Sequence, residues 1–230
     1  MSGQRTDQNL HAGRALGLDD DDLRAWEQSG LAPAEFDDWV IDRTARRPAG
    51  LRAREVYGHA DVHDFARRAI LGALGVCRGD RVLDVGCGGG ILLRDALATG
   101  AEAAGIDHSE EMVGLARERA AGAEVVLAKA EHLPFPDASF SAVSMSIVLM
   151  FLEDPEAVLR ECRRVLVPGG RLAAYTSSPA LRGTPAAPEP LADRAHFYDD
   201  RELATLATRA GFTEVHVSND SGGQLLAATK

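Results

Sequence analysis

Val82-Leu83-Asp84-Val85-Gly86-Cys87-Gly88-Gly89-Gly90 is the stretch on which the reading of this chain turns. Arg81 to Val85 is a short apolar run with β-branched residues, the composition of a parallel strand covered on both faces. Ile91-Leu92-Leu93-Arg94-Asp95-Ala96-Leu97 then reads as a helix. A strand that passes through glycines into a helix presents bare backbone and a helix N-terminus to whatever binds there. A dinucleotide fingerprint needs glycine or alanine at the sixth position of G-x-G-x-x-G, and here that position is Ile91. The pattern is instead acidic-x-G-x-G-x-G, with Asp84 two residues ahead of Gly86.

Working outward, Glu102 to Ile106 reads as the next strand and ends in Asp107, seventeen residues beyond Gly90. An acid at that place can grip both ribose hydroxyls of an adenosine. It can also serve as N-cap of the helix opening at Ser109-Glu110-Glu111-Met112. Glu124 to Leu127 reads as a third strand and Phe140 to Ser146 as a fourth. Asp154-Pro155-Glu156 opens a helix whose Val158, Leu159, Cys162, Val165 and Leu166 share one face of a 3.6-residue period. Val167 to Leu172 turns into a fifth strand. A last helix is expected from Phe197 to the Ala210-Gly211-Phe212 corner, with closing strands at Glu214 to Ser218 and Gln224 to Thr229.

With the glycine turn, the acid at 107, the run Ala130-Glu131-His132-Leu133-Pro134-Phe135 and the run Arg164 to Gly170, the chain resembles the class I S-adenosylmethionine-dependent methyltransferases. The likeness is to their small-molecule branch of ubiquinone/menaquinone-type and secondary-metabolism enzymes, and it extends from about Val56 to the C-terminus. The resemblance implies an α/β, Rossmann-like seven-stranded sheet, mostly parallel with an antiparallel last strand, helices on both faces and an N-terminal helical cap. It implies two domains, a cap or lid over residues 1–55 and a cofactor-binding domain over 56–230. S-adenosylmethionine is the implied cofactor. Its implied contacts are Tyr57, Asp84, Gly86, Cys87, Gly88, Asp107, His108, Met112, Ala130, Glu131 and Ser146. Two positions depart from the family pattern: Lys129 and Ser141 each stand where an aspartate is expected. An ammonium at 129 offers no acceptor to the adenine amino group, which leaves backbone near Ala130 to read the adenine edge.

Composition narrows the classes. A chain of 230 residues with 45% apolar content supports one good core and a small appendage. No run of eighteen apolar residues and no basic-then-apolar leader occurs, so neither a membrane span nor a secretion signal is expected. Three cysteines without C-x-x-C spacing point to a reducing cytoplasm rather than disulfides or zinc. Cys87 reads as a small filler of the turn. A net charge of −10 opposes nucleic acid as a partner.

Asp19 to Asp22, followed by Leu23 and Trp26, fits a solvated acid-rich helix start, and Phe36, Trp39 and Val40 mark a second helix after Gly30 and Pro33. Ala45 to Ala53 reads as a linker. These helices are a lid candidate, with packing on the main domain or a homodimer contact as the alternatives. Ser177 to Arg194 carries four prolines and no regular period, a second covering element at the carboxyl edge of the sheet.

Methyl transfer from a sulfonium asks chiefly for an in-line acceptor and exclusion of water, and an oxygen acceptor also asks for a general base. His59 and His196 are the base candidates. His63 falls on the polar face of its helix, and His132 and His216 read as structural. Val148 to Leu152 replaces a family His-His pair with apolar residues, so Met150 and Phe151, with Tyr175, are the candidate wall of a small-molecule acceptor site. The expected function is methyl transfer to an O, N or C atom of a small organic acceptor. The alternatives are a cofactor-retaining enzyme of this fold performing cyclisation or decarboxylation, and a degenerate binding module.

Overall fold

The computed structural model describes residues 18–46, 48, 63–220 and 222–230, and the chain divides into two units, Met1–Ala60 and Asp61–Lys230. In the first unit, α1 (Asp20–Ser29) starts at Asp19, whose carboxylate accepts from the Asp22 N–H at 2.8 Å. A single turn at Pro33–Glu35 leads into α2 (Phe36–Ile41). Leu18, Leu23, Trp26, Phe36 and Val40 form a small core of their own, with Trp26 edge-on to Phe36 at 5.1 Å. The acidic run is a helix start, as its charge pattern predicts, but it is not wholly solvated. Asp22 is buried and accepts from Arg43 Nε at 2.8 Å, the pairing that a buried carboxylate requires.

The second unit opens with α3 (Asp64–Leu74) and is built on β1 (Arg81–Val85), α4 (Ile91–Ala98), β2 (Glu102–Asp107), α5 (Glu110–Arg119), β3 (Glu124–Leu127) and β4 (Phe140–Ser146). It continues through α6 (Pro155–Val165), β5 (Leu166–Ser177), the short α7 (Leu191–Arg194), α8 (Asp200–Arg209), β6 (Thr213–Asp220) and β7 (Gly223–Thr229). The seven strands form one sheet in the order β3-β2-β1-β4-β5-β7-β6. The pairings from β3 through β5 are parallel, and β7 is antiparallel to both neighbours. This is the Rossmann-like methyltransferase fold that the motif order implied.

Alternation along the strands divides the core into two layers. Leu172, Ala174, Leu226 and Ala228 pack with Val158, Leu159 and Cys162 of α6 and Leu203 and Ala207 of α8. Ala173 and Tyr175 face the other way, onto Ala66 and Ile70 of α3, in the layer that also holds Leu93 of α4 and Ala116 of α5. The helices therefore cover both faces. Ser141 is satisfied locally: its hydroxyl lies 2.7 Å from Asp80 Oδ1 and accepts from the Arg81 N–H at 3.0 Å.

Two differences from the sequence reading bear on the segment between β5 and α8. The last helix starts at Asp200 rather than Phe197, because Asp199 and Glu202 form a reciprocal capping box that sets the first turn. Residues 177–194 are not devoid of regular structure. Pro179–Leu181 forms one helical turn, Arg182 bridges to Ala187, and Leu191–Arg194 forms another turn. Proline at the first position of a helical turn gives up an N–H that would lack an intrahelical partner anyway, so the proline-rich composition is compatible with such short turns.

Candidate functional site

Between β1 and β4 the strand order reverses direction, and the carboxyl ends of these strands frame the crevice where open α/β sheets take ligands. The glycine turn fills that point. The N–H groups of Gly86 and Cys87 both donate to the Ile106 carbonyl at 2.9 Å, which ties the turn to β2. Asp107, the last residue of β2, accepts from the Gly88 N–H at 2.9 Å through Oδ2 and from the Ser109 N–H at 2.9 Å through Oδ1. Ser109, not Asp107, caps α5 by accepting from the Met112 N–H. A Cβ placed on Gly88 would meet nothing within 4 Å, so the turn shows open backbone on its ligand side.

Asp84 lies beneath this turn with its carboxylate buried. Ser144 donates to its Oδ1 at 2.7 Å, because β1 and β4 pair Asp84 directly with Ser144. Burial pushes the Asp84 carboxyl up to about 7; the Ser144 bond opposes this and the negative charge of Asp107 adds to it. Asp107 is also raised, again by burial, against the backbone amides that favour its ionised form. Two neighbouring buried acids of this kind favour a ligand that brings positive charge. Cys87 is buried and its thiol is pushed well above the ordinary range, which removes thiolate chemistry at this position.

Around the crevice, His108 is exposed after β2, Met112 is buried in α5, and Ala130 and Glu131 are half-buried after β3. Lys129 is exposed. Ser146 ends β4 opposite Tyr175 of β5, and Ile147 follows with φ +57, an unusual conformation for a β-branched residue. Its N–H donates to the Tyr175 carbonyl at 2.8 Å. Backbone strain of this sort at a strand end is a feature of ligand sites.

Leu149–Phe151 forms a single turn after β4, with Met150 buried and Phe151 half-buried. The His196 N–H donates to the Met150 carbonyl at 2.8 Å, and the Tyr198 hydroxyl donates to the Leu149 carbonyl at 3.3 Å. These two bonds bring the segment after β5 to the end of β4. The His196 ring is exposed and stands 4.2 Å from that of Tyr198, in a groove shared with Leu152, Pro155 and Arg201. Tyr175 is buried in the layer of Ala66 and Ile70, whereas Leu149 belongs to the other layer, and the Tyr175 hydroxyl donates to the Asp220 carbonyl. Tyr57 and His59 lie outside the described residues.

The role of Ser144 escaped the sequence reading, and His63 is placed differently from it. Ser144 is sixty positions from Asp84 and becomes its partner only through strand register. His63 is shielded rather than solvated, and burial lowers its pKa. It stands edge-on to Phe65, whose ring meets Tyr175 at 5.5 Å. Among the described residues no cluster of three His, Cys, Asp or Glu side chains is arranged to hold a metal ion, and no helix is long and apolar enough to cross a membrane.

Residues 83–174 match the family model described as a methyltransferase domain. The demethylmenaquinone methyltransferase of Tropheryma whipplei is 42% identical over 108 residues, 46% of this chain and 45% of its own length. That of Staphylococcus aureus is 37% identical over 126 residues, 52% of each chain. The crystal structure of an S-adenosylmethionine dependent methyltransferase from Mesorhizobium loti shares 25% identity at a TM-score of 0.60, covering 71% of this chain and 96% of that one. The chain spans about half the length of the curated relatives it matches.

Proposed function

We propose that this chain, whose residues 83–174 match a methyltransferase domain, is a class I S-adenosylmethionine-dependent methyltransferase that transfers a methyl group from S-adenosylmethionine to a small organic acceptor. The observation that carries this reading is the Asp107 carboxylate holding Gly88 at the strand switch point beside open backbone. Each Asp107 oxygen accepts one backbone N–H and keeps a further lone pair for a ribose hydroxyl. Asp84, deep under the turn, favours a ligand ammonium. With Lys129 exposed and offering no acceptor, backbone beside Ala130 reads the adenine edge.

When bound, the cofactor supplies an electrophilic methyl on a sulfonium, so the protein's own work is positioning and drying. Met150 and Phe151, at the end of β4, fit the role of an apolar wall, and the acceptor lies against the carboxyl edge of β4 and β5. For an oxygen acceptor, His196 or His59 takes the proton. The N-terminal helices with Trp26 and Trp39, and residues 177–194, close over the acceptor. The reading further places the protein in a reducing cytoplasm, in keeping with unpaired Cys77, Cys87 and Cys162, acting on a small molecule rather than nucleic acid. The alternatives to a lid are packing of the N-terminal helices on the main domain or a homodimer contact.

The test is incubation of the full chain with methyl-labelled cofactor and a metabolite extract. The expected result is label in an organic product together with equimolar S-adenosylhomocysteine. Consumption of an acceptor without S-adenosylhomocysteine would overturn methyl transfer in favour of a cofactor-retaining reaction.

A further inference from the structure

Thr176 of β5, Gln224 of β7 and Asn219 of β6 are register partners across three strands, so their side chains share one face of the sheet. It is the face of Leu172, Ala174 and Leu226. Thr176 is 0% and Gln224 2% exposed. Gln224 Nε2 donates to Asp200 Oδ1 at 2.6 Å, and Asn219 Nδ2 donates to the same carboxylate at 2.9 Å. A carboxylate only accepts, which fixes the Gln224 amide with Oε1 turned away from it. Neither that oxygen nor the Thr176 hydroxyl has a hydrogen-bond partner. Two buried polar atoms left unpaired on register-paired residues cost stability, and a ligand that completes them offsets that cost.

Their position says which ligand. Thr176 follows Tyr175, whose carbonyl receives the Ile147 N–H, so the pair lies at the carboxyl end of β4 and β5. The apolar turn Leu149–Phe151 begins there, and the segment after β5 returns to it through His196. Gln224 Oε1 can only accept, whereas the Thr176 hydroxyl accepts or donates. A hydroxyl satisfies both, donating to Gln224 and accepting from Thr176. We propose that Thr176 and Gln224 form the polar end of the acceptor site and select an acceptor bearing a hydroxyl on an otherwise apolar body. This rests on the methyltransferase reading above. Because Thr176 and Gln224 are buried, a ligand reaches them only when the structure over this face moves aside.

The experiment uses 2-naphthol and 2-methoxynaphthalene, which share a ring and differ in the O–H donor, titrated calorimetrically into the full chain with S-adenosylhomocysteine present. The wild type is expected to prefer the naphthol by about tenfold or more, since the ether leaves a buried acceptor unpaired. Thr176→Val and Gln224→Met should each erase most of that preference. Thr176→Val removes an unpaired hydroxyl at constant shape and should raise Tm by about 2–4 °C. An unchanged or lowered Tm, a preference that survives both substitutions, or equal or absent binding of the two probes would overturn the inference. The S-adenosylhomocysteine titration separates the levels. S-adenosylhomocysteine binding by the wild type beside equal affinity for the two probes sinks only the acceptor pair, while a silent S-adenosylhomocysteine titration of the wild type sinks the cofactor reading itself.

Discussion

The Asp107 carboxylate accepts the Gly88 N–H at 2.9 Å, a bond across nineteen residues that holds the glycine turn to the end of β2. The same group accepts from Ser109, so one side chain serves both the turn and the start of α5. Asp107→Ala therefore leaves two backbone amides without partners, at about 1–3 kcal/mol for each that stays dry. We expect a lowered Tm together with at least about tenfold weaker S-adenosylhomocysteine binding, roughly 1.4 kcal/mol. Asp107→Asn keeps one acceptor oxygen and should retain more of the stability than of the affinity. Calorimetry beside thermal unfolding checks both, and full affinity in the alanine variant would remove Asp107 from the site.

Gly88 and Gly90 separate binding from folding. Both have positive φ, but a Cβ on Gly90 would stand 2.8 Å from the Ala116 backbone, whereas one on Gly88 meets nothing within 4 Å. Gly90→Ala should push α4 and α5 apart and lower the yield of folded protein. Gly88→Ala should cost only about 1 kcal/mol of left-handed strain yet block the cofactor, because its methyl group enters the ligand's space. Circular dichroism and titration of the two variants give opposite expected patterns.

Much of this arrangement was legible in the residues for a simple physical reason. Strands buried on both faces are forced into short apolar runs, and the tight βα turn is forced to glycine, so β1, β2 and β4 announce themselves. Helix α6 did likewise through Val158, Leu159, Cys162 and Val165, which are all fully buried. Partnerships made by strand register were not legible. Ser144 meets Asp84, and Thr176 meets Gln224, only because β4 and β7 dock where they do. Asp22 read as solvent-facing because its partner Arg43 lies twenty-one residues on, beyond the reach of any local pattern. His63 was assigned to the polar face by helical period, but it precedes the first residue of α3, where that period does not apply.

Lys129 is exposed, so its replacement should leave the fold untouched. Lys129→Asp supplies the acceptor that the family pattern places beside the adenine amino group and is expected to tighten S-adenosylhomocysteine binding several-fold. Lys129→Asn, which offers an acceptor without a negative charge, should recover part of the gain. If both bind as the wild type does, the adenine is read by backbone alone.

The proposed lid makes a distinct prediction. Removal of residues 1–50 takes away Trp26 and Trp39 but leaves Asp84, Gly88 and Asp107 in place. S-adenosylhomocysteine affinity should persist, while turnover of an acceptor falls on the order of a hundredfold, the cost of about 1 Å of misplacement. A folded truncated chain with full turnover would assign the helices to packing or dimer contact instead.

Asp84 contributes to the pH dependence of the ligand-free protein. Its carboxyl sits at about 7 in the folded chain because burial disfavours the charge, against 3.8 as its ordinary value. The folded state therefore binds more protons than the unfolded state between these two values. Stability from this group is fully present below about pH 4 and is lost as pH rises through 7. Other carboxylates act in the opposite sense at low pH: Asp80 and Glu161 are both held below their ordinary values, and they lose their contribution as pH falls. The Asp84 signature is thus best isolated above pH 5. Asp84→Asn keeps the oxygen that accepts from Ser144 and removes the titration. Denaturant midpoints should fall between pH 5 and 8 in the wild type by an amount equivalent to a few kcal/mol at most, and fall less in the variant, which retains the raised Asp107 and the lowered His63. The variant should at the same time bind S-adenosylhomocysteine more weakly at pH 8, where the wild-type carboxylate is ionised and can meet the ligand ammonium. Parallel pH profiles for the two proteins would show that Asp84 does not titrate in this range and would overturn the prediction.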